Sequence, residues 1–194
     1  MGYKDEIRYR ARVRGIPWLA HFTNIRNLEG IVDHGLLPRA ELEERGLDAI
    51  ETDQWRLDGD LWASSLSVSG INSEMLDSKR TEYPRAVWVV IFFQPSVLWT
   101  HNCRFCFRNA AHNDLTGNNK FRGGPWGFET MFEDETSHVP TRSDAEVQVR
   151  GRIAPELIMG ACVDRAHLAV KVQALMDRLN KEDGGDRNVL LKEF

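Results

Sequence analysis

The sequence predicts an α+β domain: a mixed, mostly antiparallel sheet with helices packed on it. Three observations carry this. Ala86 to Phe93 reads Ala-Val-Trp-Val-Val-Ile-Phe-Phe, apolar on both faces, so it belongs in the middle of a covered sheet. From Ala145 the chain alternates, with Ala145, Val147, Val149 and Ile153 on one face and Glu146, Gln148, Arg150 and Arg152 on the other. Ile25, Leu28, Ile31 and Val32, and later Leu168, Val172, Leu175, Met176 and Leu179, form stripes at helical spacing. At 194 residues, 42% hydrophobic and 28% charged, the chain can build one substantial core. A single domain over 1–194 is expected, with a basic N-terminal segment 1–14 and a tail from 183 to 194.

The elements follow in order. Residues 4–13 suit a short basic helix, stopped by Gly15 and Pro17. Trp18 to Thr23 reads as a strand. Asn24 is a helix-capping residue before the first stripe, and Gly35 stands where a left-handed C-terminal residue belongs. A short helix over 40–46 precedes a polar loop at Asp53 to Gly59. Leu61 to Val68 suits a strand, and Asn72 opens a short helix through Arg80. After the Ala86–Phe93 strand, Leu98 to Phe107 suits another. Asn109 to Arg142 has little periodicity, and so long a stretch inside a domain is usually functional or mobile. Asp164 is expected to cap the last helix.

Composition narrows the function classes. No apolar run approaches a membrane span, and Met1 to Arg14 lacks the apolar core of a secretory signal. Three cysteines, an odd count, fit a reducing cytoplasm better than a disulfide scaffold. The net charge of −4 does not advertise a nucleic-acid partner, yet Arg8, Arg10, Arg12 and Arg14 make a local cluster. Such a cluster suits either phosphate contact or a solvated terminal face.

Several constellations invite chemistry, each beside a plainer reading. Glu146 opens a strand after a hydrogen-bonding loop, placed to stabilise a cation or to be exposed surface. His21 and Thr23 share a strand face before a helix N-terminus. Imidazole with hydroxyl suits a ribose or amide ligand, while a backbone-satisfied histidine is the alternative. Arg56 could fork onto phosphate or pair with Asp58. Cys103 and Cys106, near His101 and His112, have no second pair to complete a zinc site, and packing explains them better. Phosphate-binding glycine loops and the Gly-x-Ser-x-Gly elbow are absent from the sequence.

Four stretches, in order, resemble one family. His21-Phe22-Thr23 with Asn27, Leu28, Ile31 and Gly35-Leu36-Leu37 is similar to the opening motif of the DarT DNA ADP-ribosyltransferase toxins. Arg56-Leu57-Asp58 with Ala63 to Ser67 resembles the next block, in the branch that modifies guanine more than in the branch that modifies thymine. Phe105 to Ala111 resembles a third block. Pro140-Thr141 through Ala145-Glu146-Val147 and Val149 resembles the catalytic one.

The resemblance implies an ADP-ribosyltransferase-like fold, a split mixed and antiparallel sheet with flanking helices that clasps NAD. It implies transfer of ADP-ribose from NAD to a base of single-stranded DNA, guanine favoured, with no metal. The expected partner besides DNA is an antitoxin glycohydrolase of the macrodomain or NADAR class. Glu146 takes the catalytic position, and Arg56 matches the assisting arginine. His21, Thr23, Asn27, Gly35, Leu36 and Arg80 match the NAD side. Met75, Trp126, Arg142 and Asp144 match the substrate side, with 129–145 as the loop that helps choose the substrate. Asp144 departs from the glutamine common in the related branch, replacing a donor–acceptor with an acceptor. Trp126 and Phe128 suit base stacking or loop anchoring. The same chemistry on RNA or protein, and a silent nucleic-acid-binding domain, are the competing readings.

Overall fold

A computed structural model describes residues 2–52, 59–112, 115 and 123–194. Arg56, with the rest of 53–58, lies outside the described residues, as do 113–114 and 116–122. The elements run α1 (Tyr3–Val13), β1 (Leu19–Asn24), α2 (Leu28–His34), α3 (Arg39–Arg45), β2 (Ala63–Val68), α4 (Ser73–Glu82), β3 (Trp88–Phe93), α5 (Val97–Thr100), β4 (Asn102–Cys106), α6 (Gly124–Glu129), β5 (Glu146–Arg150), β6 (Ile158–Val163), α7 (Ala166–Asp183) and β7 (Asn188–Leu191).

The seven strands form one sheet in the order β4-β5-β2-β1-β3-β6-β7. All neighbours pair antiparallel except β6 with β7, so the sheet is mixed as expected. β3, the apolar strand, lies between β1 and β6. β1 and β2 pair only at Leu19↔Val68 and Ala20↔Ser67, whereas β1 and β3 pair along six positions from Leu19↔Phe93 to Asn24↔Trp88. The sheet is therefore two half-sheets, β4-β5-β2 and β1-β3-β6-β7, stitched at one end and split beyond it.

One face carries the main core. Leu19, Leu66, Val89, Ile91, Phe93, Phe105, Val147 and Val149 meet Leu28 and Ile31 of α2, Phe128 of α6 and Val172, Met176 and Leu179 of α7. Phe93, Phe105 and Phe128 are fully buried, and each contributes roughly 1.5–3 kcal/mol by leaving water. The other face is thinner: Ala20, Val90 and Cys162, with Trp18, Phe22, Ile71, Phe92 and Phe194 against them. Strand alternation turns Glu146 and Gln148 away from the main core, because Val147 and Val149 face it.

Local signals explain most boundaries. The Asn24 side chain accepts the Arg26 N–H, but the turn it opens is a 3-10 turn, Ile25–Asn27, before α2 begins. The Asn72 side chain accepts the Met75 N–H and caps α4. Gly35 has φ +85°, and a Cβ there would lie 2.3 Å from the Ile153 carbonyl oxygen. That closeness lets Leu36 and Ile153 exchange backbone hydrogen bonds at 2.9 Å each way.

Several expectations are corrected. Leu98 to Phe107 is not one strand: α5 fills Val97–Thr100 and β4 starts at Asn102. Pro95 lacks the N–H to continue β3, and Thr100 Oγ1 closes the turn on the Ser96 carbonyl at 2.8 Å. Asp164 does not cap α7. Its carboxylate meets Arg80 at 3.3 Å and Arg165 at 3.7 Å, and Arg165 occupies the cap position without a side-chain bond.

The tail is ordered. Arg187, 5% exposed, donates to the Ile158 carbonyl at 2.7 Å, the Glu156 carbonyl at 3.2 Å and Asp183 Oδ1 at 2.7 Å, and β7 then pairs with β6. The N-terminal arginines divide. Arg8 and Arg12 are exposed and Arg10 is half-buried, while Arg14 is buried. Gln148 is buried as well, accepting from Arg104 Nε at 2.6 Å, so the polar face of β5 is covered there.

Candidate active site

Glu146 heads β5, and its Cα partner on β4 is Cys106. The β2–β5 register, Ser65↔Gln148 and Leu66↔Val147, puts Ser67 level with Glu146 when carried on by one residue. Ser67 pairs in turn with Ala20 of β1. The carboxylate thus stands in the row where the two half-sheets are stitched, at the edge of the split.

The chain after β4 folds back over it. The Ala110 N–H donates to Glu146 Oε1. Asn109 Oδ1 accepts the Ala111 N–H at 2.9 Å, an Asx turn that aims the intervening amide. The Asn109 N–H reaches Asp144 Oδ2 at 3.3 Å. Asp144 is flanked by Arg108 Nε at 3.8 Å and Arg142 Nε at 3.6 Å. The third family-like block therefore contributes backbone donors to two carboxylates, Glu146 and Asp144, that the sequence places two residues apart. Asn109 and Ala110 were legible as a motif without a role. The signal for that role is the readiness of Asn to bond its own backbone two residues on.

Across the split, His21 Nδ1 lies 3.0 Å from the Ser65 carbonyl oxygen. A carbonyl only accepts, so Nδ1 carries the proton. Thr23 is 7% exposed, and its Oγ1 accepts from Asn27 Nδ2 at 2.9 Å. Asn27 also clasps the Ile50 backbone, donating to its carbonyl at 3.0 Å and accepting its N–H at 2.8 Å. His21 and Thr23 therefore meet different partners, and Asn27 ties the end of β1 to the stretch leading toward Arg56.

The remaining predicted residues scatter. Gly35 and Leu36 are buried at the bridge to Ile153, a scaffold position. Arg80 meets Asp77 at 3.4 Å, Asp164 at 3.3 Å and the Phe194 carbonyl, with its guanidinium carbon 5.2 Å from the Phe194 ring centre. None of these partners belongs to the Glu146 cluster. Met75 is 37% exposed and Trp126, on α6, is 68% exposed, whereas Phe128 is fully buried and anchors that helix in the core. Cys103, Cys106 and Cys162 are buried and form no disulfide, and burial pushes the Cys103 thiol up to about 12. Among the described residues, no group of three or more His, Cys, Asp or Glu could hold a metal, and no helix is long and apolar enough to cross a membrane.

A family model described as "ssDNA thymidine ADP-ribosyltransferase, DarT" matches residues 70–190, more than half of the chain and including Glu146. No curated protein matches. Among solved structures, the chain is similar to the Thermus sp. 2.9 DarT in complex with NAD+, at 14% identity and a TM-score of 0.59, over 90% of this chain and 94% of that one. The Thermus sp. 2.9 DarT in complex with ADP-ribosylated ssDNA gives 16% identity and a TM-score of 0.56, over 92% and 95%. The Thermosipho africanus DarTG in complex with ADP-ribose gives 16% identity and a TM-score of 0.52, over 90% of this chain and 49% of that one. The chain thus spans about half the length of the Thermosipho protein. At these identities the likenesses establish a shared fold, and with the family match over most of the sheet the chain belongs to the DarT family of ssDNA ADP-ribosyltransferases.

Proposed function

We propose that this protein takes ADP-ribose from NAD and joins it to a base of single-stranded DNA, releasing nicotinamide, as the toxin of a toxin–antitoxin pair. The observation that carries this reading is the carboxylate of Glu146, held by the Ala110 N–H at the mouth of the split sheet. Breaking the nicotinamide–ribose bond sends the electron pair out with nicotinamide and leaves positive charge on the ribose carbon. A fixed carboxylate stabilises that charge, an effect of several kcal/mol in comparable sites. A base nitrogen then bonds the ribose carbon, and its proton passes to Glu146 and on to water.

His21, with Nδ1 committed to Ser65, orients a ribose hydroxyl. Asn27 and Thr23 shape the nicotinamide end, and Gly35 with Leu36 supports that wall through Ile153. By resemblance alone, Arg56 is assigned as the arginine that assists catalysis and Arg80 to the NAD side. Met75, exposed Trp126, Arg142 and Asp144 border the DNA, and single-stranded substrate avoids the few kcal/mol of unpairing. The base we favour is guanine, on the resemblance of the Arg56-Leu57-Asp58 block, whereas the family description names thymidine. The antitoxin is a glycohydrolase of the macrodomain or NADAR class, since either cleaves the bond formed here.

Mass spectrometry of defined oligonucleotides after incubation with NAD tests the whole reading. A mass gain of one ADP-ribose on guanine-containing single strands is expected. Adducts on thymine alone would overturn the base assignment. Adducts only on parallel RNA or protein samples would overturn the DNA target.

A further inference from the structure

We infer that α1 braces the loop preceding Glu146, and that Arg14 and Arg10 thereby set which single-stranded sequences the enzyme accepts. The inference rests on the proposed function, in which this loop borders bound DNA.

Arg14 is 6% exposed, and a guanidinium so buried requires partners on most of its donors. Its Nη1 donates to two carbonyls of the loop, Asp134 at 2.7 Å and Ser137 at 3.0 Å. Its Nη2 meets Glu129 Oε2 at 2.5 Å, and its guanidinium carbon sits 4.2 Å from the Phe132 ring centre. Arg10 joins the other oxygen of Glu129 at 3.1 Å and is itself held by Glu6 at 2.6 Å. One planar fork therefore grips the end of α6 and the middle of the following loop together.

The loop's own bonds close its base and turn its crest, where Asp134 Oδ1 accepts from the Thr136 N–H and hydroxyl at 2.8 Å and the Ser137 hydroxyl donates to the Val139 carbonyl at 2.7 Å, while Arg14 ties that crest to the end of α1. The Thr141 N–H donates to the Met131 carbonyl at 3.0 Å, and Thr141 Oγ1 accepts the Glu133 N–H at 2.7 Å. The Ala145 N–H then bonds the Arg142 carbonyl at 3.1 Å, and Glu146 follows. On the crest, Glu133, Glu135, Thr136, His138 and Val139 are exposed. These side chains face solvent from a backbone that is tied from beneath to a cation at the C-terminal end of α1. Their placement relative to Glu146 therefore depends on Arg14, which is itself buried and holds the loop by its backbone.

The test compares wild type with Arg14→Lys, which keeps one charge but loses the fork, and with Glu129→Gln, which keeps the shape but loses the charge shared by Arg10 and Arg14. Three readouts are taken: transfer to a preferred and to a mismatched oligonucleotide, NAD hydrolysis without DNA, and hydrogen exchange across the chain. Both variants should raise KM for the preferred strand and cut the preferred-to-mismatched ratio by about tenfold or more. NAD hydrolysis should stay within about twofold, and exchange should quicken at 133–139 while β3 and β6 stay protected. A folded variant that loosens 133–139 yet discriminates like wild type would overturn the inference, as would equal losses in hydrolysis and transfer. If Arg14→Lys does not fold, Glu129→Gln decides by the same readouts. Wild-type protein that marks no DNA would overturn the proposed function and this inference together.

Discussion

The backbone N–H of Ala110 donates to the side chain of Glu146, joining the turn after β4 to the head of β5. A main-chain donor therefore helps orient the carboxylate. Main-chain donors are held by the fold, so the geometry is in place before a substrate arrives.

Replacing Glu146 with Gln keeps an oxygen for the Ala110 N–H and removes the charge. Transfer of label from NAD should fall by at least about 10²-fold, the usual loss when a group stabilising transition-state charge is removed. The thermal midpoint should stay within about 2 °C, which a melting curve checks.

Replacing Asn109 with Ala removes the Asx turn and frees the Ala110 amide to wander. Transfer should drop about tenfold, with roughly 1 kcal/mol lost in urea unfolding. Wild-type rates in this variant would mean that the Asx turn does not hold the carboxylate.

Exchanging Asp144 for Gln supplies donors where only an acceptor stands now, beside the Asn109 amide. The ratio of guanine to thymine adducts should shift by about tenfold or more, read from mixed-sequence oligonucleotides by mass spectrometry.

Gly35→Ala should be among the most destabilising small changes. The residue has φ +85°, and the added methyl would stand 2.3 Å from the Ile153 carbonyl oxygen. A loss of about 2–4 kcal/mol in urea unfolding is expected, well above the cost of strain alone.

Alkali should weaken the fold through Cys103. Burial raises its thiol from 9.0 to about 12, so the folded state holds the proton more tightly than the unfolded one. The contribution is complete below 9.0 and is lost as pH rises toward about 12. The loss at pH 10 is on the order of 1 kcal/mol. Cys103→Ala should flatten that slope between pH 8 and 10 in urea titrations.

The strongest local patterns in the sequence correspond to real elements. The apolar run of β3, the Asn24 and Asn72 caps and the alternation of β5 each record one dominant local preference. What escaped depends on distant partners. Gln148 looks like surface until Arg104 is found across the ladder, and Arg14 looks like a phosphate contact until Glu129 and two loop carbonyls enclose it. The ordered tail was hidden for the same reason, since Arg187 earns its burial from the Ile158 and Glu156 carbonyls far upstream. In the site, Glu146 was visible as a carboxylate at a strand head. The amide that orients it was not, because a backbone donor has no letter in the sequence.

The position of β5 has a consequence for biosynthesis. It lies between β4 and β2, both earlier in the chain, so neither of these strands gains its shared neighbour until residues 146–150 emerge. Glu146 cannot take its place at the split before that insertion, and pairing over such separations is slow compared with local folding. The site is therefore incomplete until β5 has joined both of its neighbours.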